Sequence, residues 1–185
     1  MTNPSARERI LDAIVALHQE VGPADTTITA VAERAGVQRL TVYRHFPDEA
    51  ALIRGCSQHW SKAHPPPDPG VWAGIQDPEE RMQVALTHLY RFYQDGQEML
   101  TQVLRDEEKV PPLQEALAPF RAYLAEVVGA LAAGWGVKGE DQRALRTLVG
   151  LALRFDTWRS LAEEGLDIGE AARLMTRVIK GQANP

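Results

Sequence analysis

Cysteine is nearly missing. Cys56 stands alone among 185 residues, so no disulfide can close within the chain, and the disulfide scaffold of a small secreted domain is excluded. A chain of this length can bury an adequate core without such staples. Long apolar runs are missing too: none approaches the roughly 18 to 20 residues of a membrane span, and no membrane partner is expected. The opening Met-Thr-Asn-Pro-Ser-Ala-Arg-Glu-Arg has no apolar stretch of a secretory leader, which with the lone thiol points to the cytoplasm. Equally lacking are a nucleophile elbow, a phosphate-binding glycine loop and paired metal-binding histidines. No catalytic residue, cofactor or metal is assigned, and an enzyme is not expected. Cys56 and His59 share a helix face with His64 nearby, but no second ligand pair has zinc-like spacing.

Net positive charge is a further absence. The formal charge of −5 at pH 7 weakens indiscriminate attachment to nucleic acid, yet phosphate contacts need a basic face rather than a basic protein. Between Val37 and Phe46 the charged residues are Arg39 and Arg44, with His45 beside them and no acid. The acids gather elsewhere, notably in Asp106-Glu107-Glu108 and Glu163-Glu164.

What is present reads as helix throughout, an all-α fold with no convincing strand, internal repeat or low-complexity tail. Ser5 and Glu8 form a capping-box pattern before Ile10, Leu11, Ile14 and Leu17 at helical spacing, and Gly22-Pro23 ends that helix. Thr27 can cap a short second helix ending at Gly36, and a third spans about Gln38 to His45. After Pro47, Asp48-Glu49 open a fourth helix that fails before the stiff run His64-Pro65-Pro66-Pro67. Asp77-Pro78 starts the next helix; another covers about Gln97 to Glu107, and Pro111-Pro112 separates it from a long one reaching roughly Ala133. The last pair is expected over about Asp141 to Glu164, closed by Gly165, and from Asp167 to about Lys180. The domains then divide as a small N-terminal domain over 1–47, a connecting helix over 48–63 and a larger helical body over 64–185.

Two short helices joined at Gly36 define a helix-turn-helix. Val31, Ala35, Val37, Val42 and Phe46 supply a small core holding them at a fixed angle. That leaves Gln38, Arg39, Leu40, Thr41, Tyr43, Arg44 and His45 facing outward. Arginine can grip guanine edges with two hydrogen bonds, and Leu40 or the Thr41 methyl can meet a thymine methyl. Tyr43, His45 and the Thr27 hydroxyl have the reach for phosphate oxygens.

This segment resembles the DNA-binding domain of the tetracycline-repressor-like (TetR) family. The resemblance rests on Ile10-Leu11-Asp12-Ala13, Gly22, Thr27, Val31-Ala32, Ala35-Gly36-Val37, Thr41-Val42-Tyr43, His45-Phe46-Pro47 and Ala51-Leu52. It implies a homodimer whose third helices enter successive major grooves of a pseudo-palindromic double-stranded operator. It also implies a C-terminal body that binds a small molecule and closes the dimer. Two positions depart from the family's pattern: Gln38 replaces the usual small cap, and Glu49 stands where a lysine is common. Glu49 cannot pair with phosphate, which predicts a weaker and less salt-dependent complex.

Behind that segment the body is aromatic. Trp60, His88, Phe92, Phe120, Tyr123, Arg154, Phe155 and Trp158 are the candidates for a pocket that takes a small apolar or amphipathic ligand, although a plain core explains most of them. Leu145, Leu148, Val149, Ala152, Leu174, Met175 and Val178 recur on the last helices as a dimer interface. The expected function is a repressor released from its operator by that ligand. Two rivals are a ligand-independent dimeric regulator and a helical partner-binding protein that keeps the helix-turn-helix as scaffold.

Overall fold

The computed structural model describes residues 4–183. Among them are eleven helices and no strand, as an all-α fold requires. They are α1 Ala6–Glu20, α2 Ile28–Ala35, α3 Arg39–His45, α4 Glu49–Ala63, α5 Gly70–Ala73, α6 Pro78–Asp95, α7 Gln97–Asp106, α8 Pro112–Leu131, α9 Gly139–Ala152, α10 Phe155–Glu163 and α11 Ile168–Ala183. No helix among the described residues is long and apolar enough to cross a membrane.

Local side-chain chemistry sets most of these starts. Ser5 Oγ accepts from the Glu8 N–H at 3.2 Å while the Glu8 carboxylate accepts from the Ser5 N–H at 2.7 Å, so two orphan amide donors are satisfied reciprocally. Asp167 and Glu170 repeat the exchange ahead of α11, at 2.8 and 3.0 Å. Asp48 and Asp77 accept from the Ala51 and Glu80 amides at 2.7 and 3.1 Å. Residues 65–68 carry no regular structure, and the single turn of α5 follows.

One expected helix is two. Asp141 to Glu164 reads as continuous, yet α9 stops at Ala152 and α10 begins at Phe155, with Arg154 extended at φ −76° and ψ 142°. Neither glycine nor proline stands at the break. Instead, hydroxyls reach the carbonyls at the break. Thr157 Oγ1 donates to Leu151 O at 2.6 Å, Tyr90 OH to Ala152 O at 2.9 Å and Tyr93 OH to Leu153 O at 2.5 Å. Both tyrosines come from α6, distant in sequence, so periodicity within the segment holds no trace of them.

By its contacts the chain forms two compact units, each discontinuous in sequence. The first joins residues up to Pro65 with Gly96–Pro119; the second joins Pro66–Asp95 with residues from Phe120 onward. This differs from a division made in chain order. In the first unit α4 and α7 both pack on α1, and Met99, Val103, Val110 and Leu113 share one core with Ile10, Ile14, Val31 and Val42. In the second unit α6 packs against α10 and α11, and α11 against α9. Helical spacing marks an apolar face without stating which partner covers it.

Candidate nucleic-acid interface

Thr27 opens the α2–α3 pair, its side-chain oxygen accepting from the Ala30 N–H at 3.1 Å. Helix α2 ends at Gly36, left-handed at φ 63° and ψ 41°. A side chain there would be strained by backbone conformation alone, since open space surrounds the position. The Val37 N–H returns to Ala32 O at 3.0 Å, and α3 begins two residues later. Val31 and Val42 are fully buried, with Ala35 and Phe46 nearly so. Two polar contacts fix the pair to α1: Arg9 Nε donates to Ala35 O at 3.1 Å, and Arg34 pairs with Glu20 at 2.5 Å.

Burial of Val42 on one side leaves the other side of α3 to solvent. Leu40 is 67% exposed and Tyr43 43% exposed; Gln38, Arg39, Arg44, His45 and Thr27 are exposed, and Thr41 is half-buried. Neither Arg39 nor Arg44 has a hydrogen-bond or ion-pair partner among the described residues. Gln38 supplies no side-chain cap. The Thr27 hydroxyl spends an oxygen lone pair on its helix and keeps its hydrogen to donate. Every residue expected at the interface is thus at the surface of one unit, backed by a buried core.

A positioning group went unread in the sequence. Asp106 stands in the acidic run Asp106-Glu107-Glu108, and its carboxylate is fully buried. It accepts from the Ala24 N–H at 3.1 Å, from Arg105 Nε and Nη2 at 2.9 Å each and from Lys109 Nζ at 3.3 Å. Arg105 also donates to Val21 O at 3.0 Å. These bonds hold the α1–α2 loop against α7, and the Arg105 guanidinium beside Asp106 keeps its carboxyl well below the usual range. Gly22 admits the clasp: a Cβ there would stand 2.3 Å from Arg105 Nη2. Below lie His18 and Cys56, with Nδ1 and Sγ 3.4 Å apart. Burial pushes the imidazole down to about 4 and the thiol up to about 12. His59 bonds Asp12 and His64 stacks on Trp60, so these residues and Cys56 have separate partners.

In the second unit the expected ligand residues separate into core and surface. Tyr93 lies 5.5 Å from the Phe155 ring and 6.0 Å from Trp158, and Phe155 and Trp158 are buried core. Phe92, Phe120 and Tyr123 are half-buried. Phe120 joins Phe92 at 5.5 Å and stacks on Tyr123 at 5.8 Å, and the Tyr123 hydroxyl donates to Pro67 O at 2.8 Å. His88 is half-buried near Trp72. Arg154 is an exposed residue at the α9–α10 break, and Trp60 belongs to the other unit.

The interface residues divide as well. Leu145, Val149 and Ala152 are fully buried within their own unit and Met175 nearly so, so they present no surface to a second copy. Leu148 and Leu174 are half-buried, and Val178 is exposed. Leu151, absent from the expected set, is 47% exposed. A shallow groove of about 510 Å³ opens beside Leu148, edged by Glu140, Arg143, Thr147 and Gln182.

Residues 10–56 match the bacterial regulatory proteins of the tetR family. Over 93 residues the chain is 38% identical to the HTH-type transcriptional repressor KstR of Rhodococcus jostii (strain RHA1), a stretch covering 48% of this chain and 41% of that repressor. Among solved structures, a TetR-like transcriptional regulator from Rhodococcus sp. RHA1 superposes with a TM-score of 0.71 at 21% identity, covering 100% of both chains. The fatty acid degradation regulator FadR from Bacillus halodurans superposes with a TM-score of 0.66 at 16% identity, over 98% of this chain and 97% of its own.

Proposed function

We propose that the chain is a TetR-family, sequence-specific DNA-binding transcription repressor released by a small ligand, a reading supported by the match over residues 10–56 and the likeness to KstR. The observation that carries this reading is the α3 face. Arg39, Arg44 and His45 stand exposed on a short helix seated over a buried core, and both arginines keep their donors unspent. In a dimer, two such helices about 34 to 36 Å apart meet successive major grooves of a pseudo-palindromic site. Leu148, Leu151, Leu174 and Val178 offer the apolar surface for the second copy. Repression as the sign follows KstR, which is named a repressor.

Half-buried His88, Phe92, Phe120 and Tyr123 support uptake of an apolar or amphipathic molecule in the second unit. The chain passes from α6, which bears His88 and Phe92, through Gly96 into α7 of the first unit. A coupling of about 1 to 3 kcal/mol along that path is enough for a useful switch. The test is selection of bound duplexes from a random pool at two salt concentrations. Enrichment of an inverted repeat whose binding weakens as salt rises is expected; no enrichment at either salt sinks the reading.

A further inference from the structure

We propose that Arg7 is a phosphate contact of this interface, a cation held beside the end of α3 by a cation–π contact with Phe46. The proposal rests on the DNA-binding reading above. The Arg7 guanidinium carbon lies 5.3 Å from the centroid of the Phe46 ring. Phe46 is buried and is the C-terminal cap of α3, directly after Arg44 and His45. The contact therefore brings a charge from the first turn of α1 to the far end of the reading helix.

The basic residues of this unit differ in what they have left to give. Arg9 spends its donors on Ala35 O and Pro4 O, each at 3.1 Å, and Arg34 spends its own on Glu20. Exposed Arg7 makes no hydrogen bond or ion pair among the described residues. A cation–π contact draws on the charge of the guanidinium and spends none of its N–H donors on an oxygen acceptor. Arg7 is thus a cation already oriented, with its donors unused.

Its location suits phosphate rather than base. At 1.5 Å per residue α3 is about 10 Å long, close to the roughly 12 Å width of the major groove. A reading helix offers mainly its N-terminal residues to base edges. A group beyond its C-terminal end then stands at the groove wall, where the phosphate oxygens run. Charge balance points the same way. Asp48 and Glu49, both exposed, follow Phe46 closely and would repel phosphate, and Arg7 offsets that repulsion at the same corner.

The test uses the full chain and the selected operator duplex, with binding followed by fluorescence anisotropy between about 50 and 200 mM salt. Arg7→Met keeps an apolar chain over Phe46 and removes the charge; Arg7→Gln serves as a second neutral variant, and Arg7→Lys keeps the charge. Both neutral variants are expected to flatten the log–log salt slope by about 0.9 for each bound subunit. The loss should be equal on the operator and on its single-base variants, with thermal unfolding unchanged, and Arg7→Lys should retain the wild-type slope. An unchanged slope in a folded neutral variant, or a loss confined to particular base pairs, overturns the proposal while leaving the DNA-binding reading intact. A wild type that binds no duplex sinks both.

Discussion

Where the first unit leaves Arg39, Arg44 and His45 of α3 in solvent, the second takes the hydroxyls of Tyr90 and Tyr93 inside and spends them on the carbonyls of Ala152 and Leu153. A solvated side chain is held ready for a partner at little cost to the fold. A buried carbonyl stripped of its donor costs about 1 to 3 kcal/mol. Surface chemistry in the first unit is therefore separable from stability, and polar chemistry in the second is not. The first unit keeps one exception in its own interior, the set formed by His18, Cys56 and Asp106.

That exception sharpens the comparison most. His18 is buried, and its folded pKa of about 4 lies below the ordinary 6.5, so the unfolded chain binds the proton more readily. Stability from this group is complete above about pH 6.5 and is lost as pH falls towards 4, by up to about 3 kcal/mol. Urea unfolding across that window should show the loss in wild type and a flatter profile in His18→Gln. Identical profiles would remove His18 as the cause. Asp106 acts in a separate, more acidic window, because its carboxyl is held below the usual range: its contribution is present above about pH 4 and lost below it.

Next in size is Tyr93→Phe, which leaves the Leu153 carbonyl without its hydroxyl donor. Stability should drop by about 2 kcal/mol while operator affinity stays within a factor of two or so. A loss under about 0.5 kcal/mol would mean that the helix break does not depend on that bond. The smallest effect is expected from Glu49→Lys at the surface of the first unit. Its salt slope should steepen by about 0.9 for each bound subunit, and the reversed charge at the start of α4 should cost less than about 1 kcal/mol. A slope equal to wild type would place Glu49 away from the backbone.

Legibility followed the same division. Ser5, Thr27, Asp48, Asp77 and Asp167 act on amides two to three residues away, so their caps could be read from spacing alone. Gly36 was legible for a similar reason, because its left-handed conformation belongs to the turn itself. Asp106 was not, since three neighbouring acids look solvated until the Ala24 amide arrives from the α1–α2 loop. The α9–α10 break stayed hidden because its supports come from α6. Among the interface candidates, Leu145 and Leu148 share one helical face, and only packing shows that the first is sealed while the second is accessible.

The sequence by itself determined the helical content, the caps, the turn at Gly36 and the outward set on α3, because each depends on chemistry within one or two helical turns. Tertiary structure alone decided that α7 completes the core of the first unit, that Asp106 is a buried clasp and that the Arg7 cation lies over the Phe46 ring. It also decided which aromatics are core. Those outcomes depend on which distant surface covers a given face, and helical periodicity states that a face is apolar without naming what will bury it.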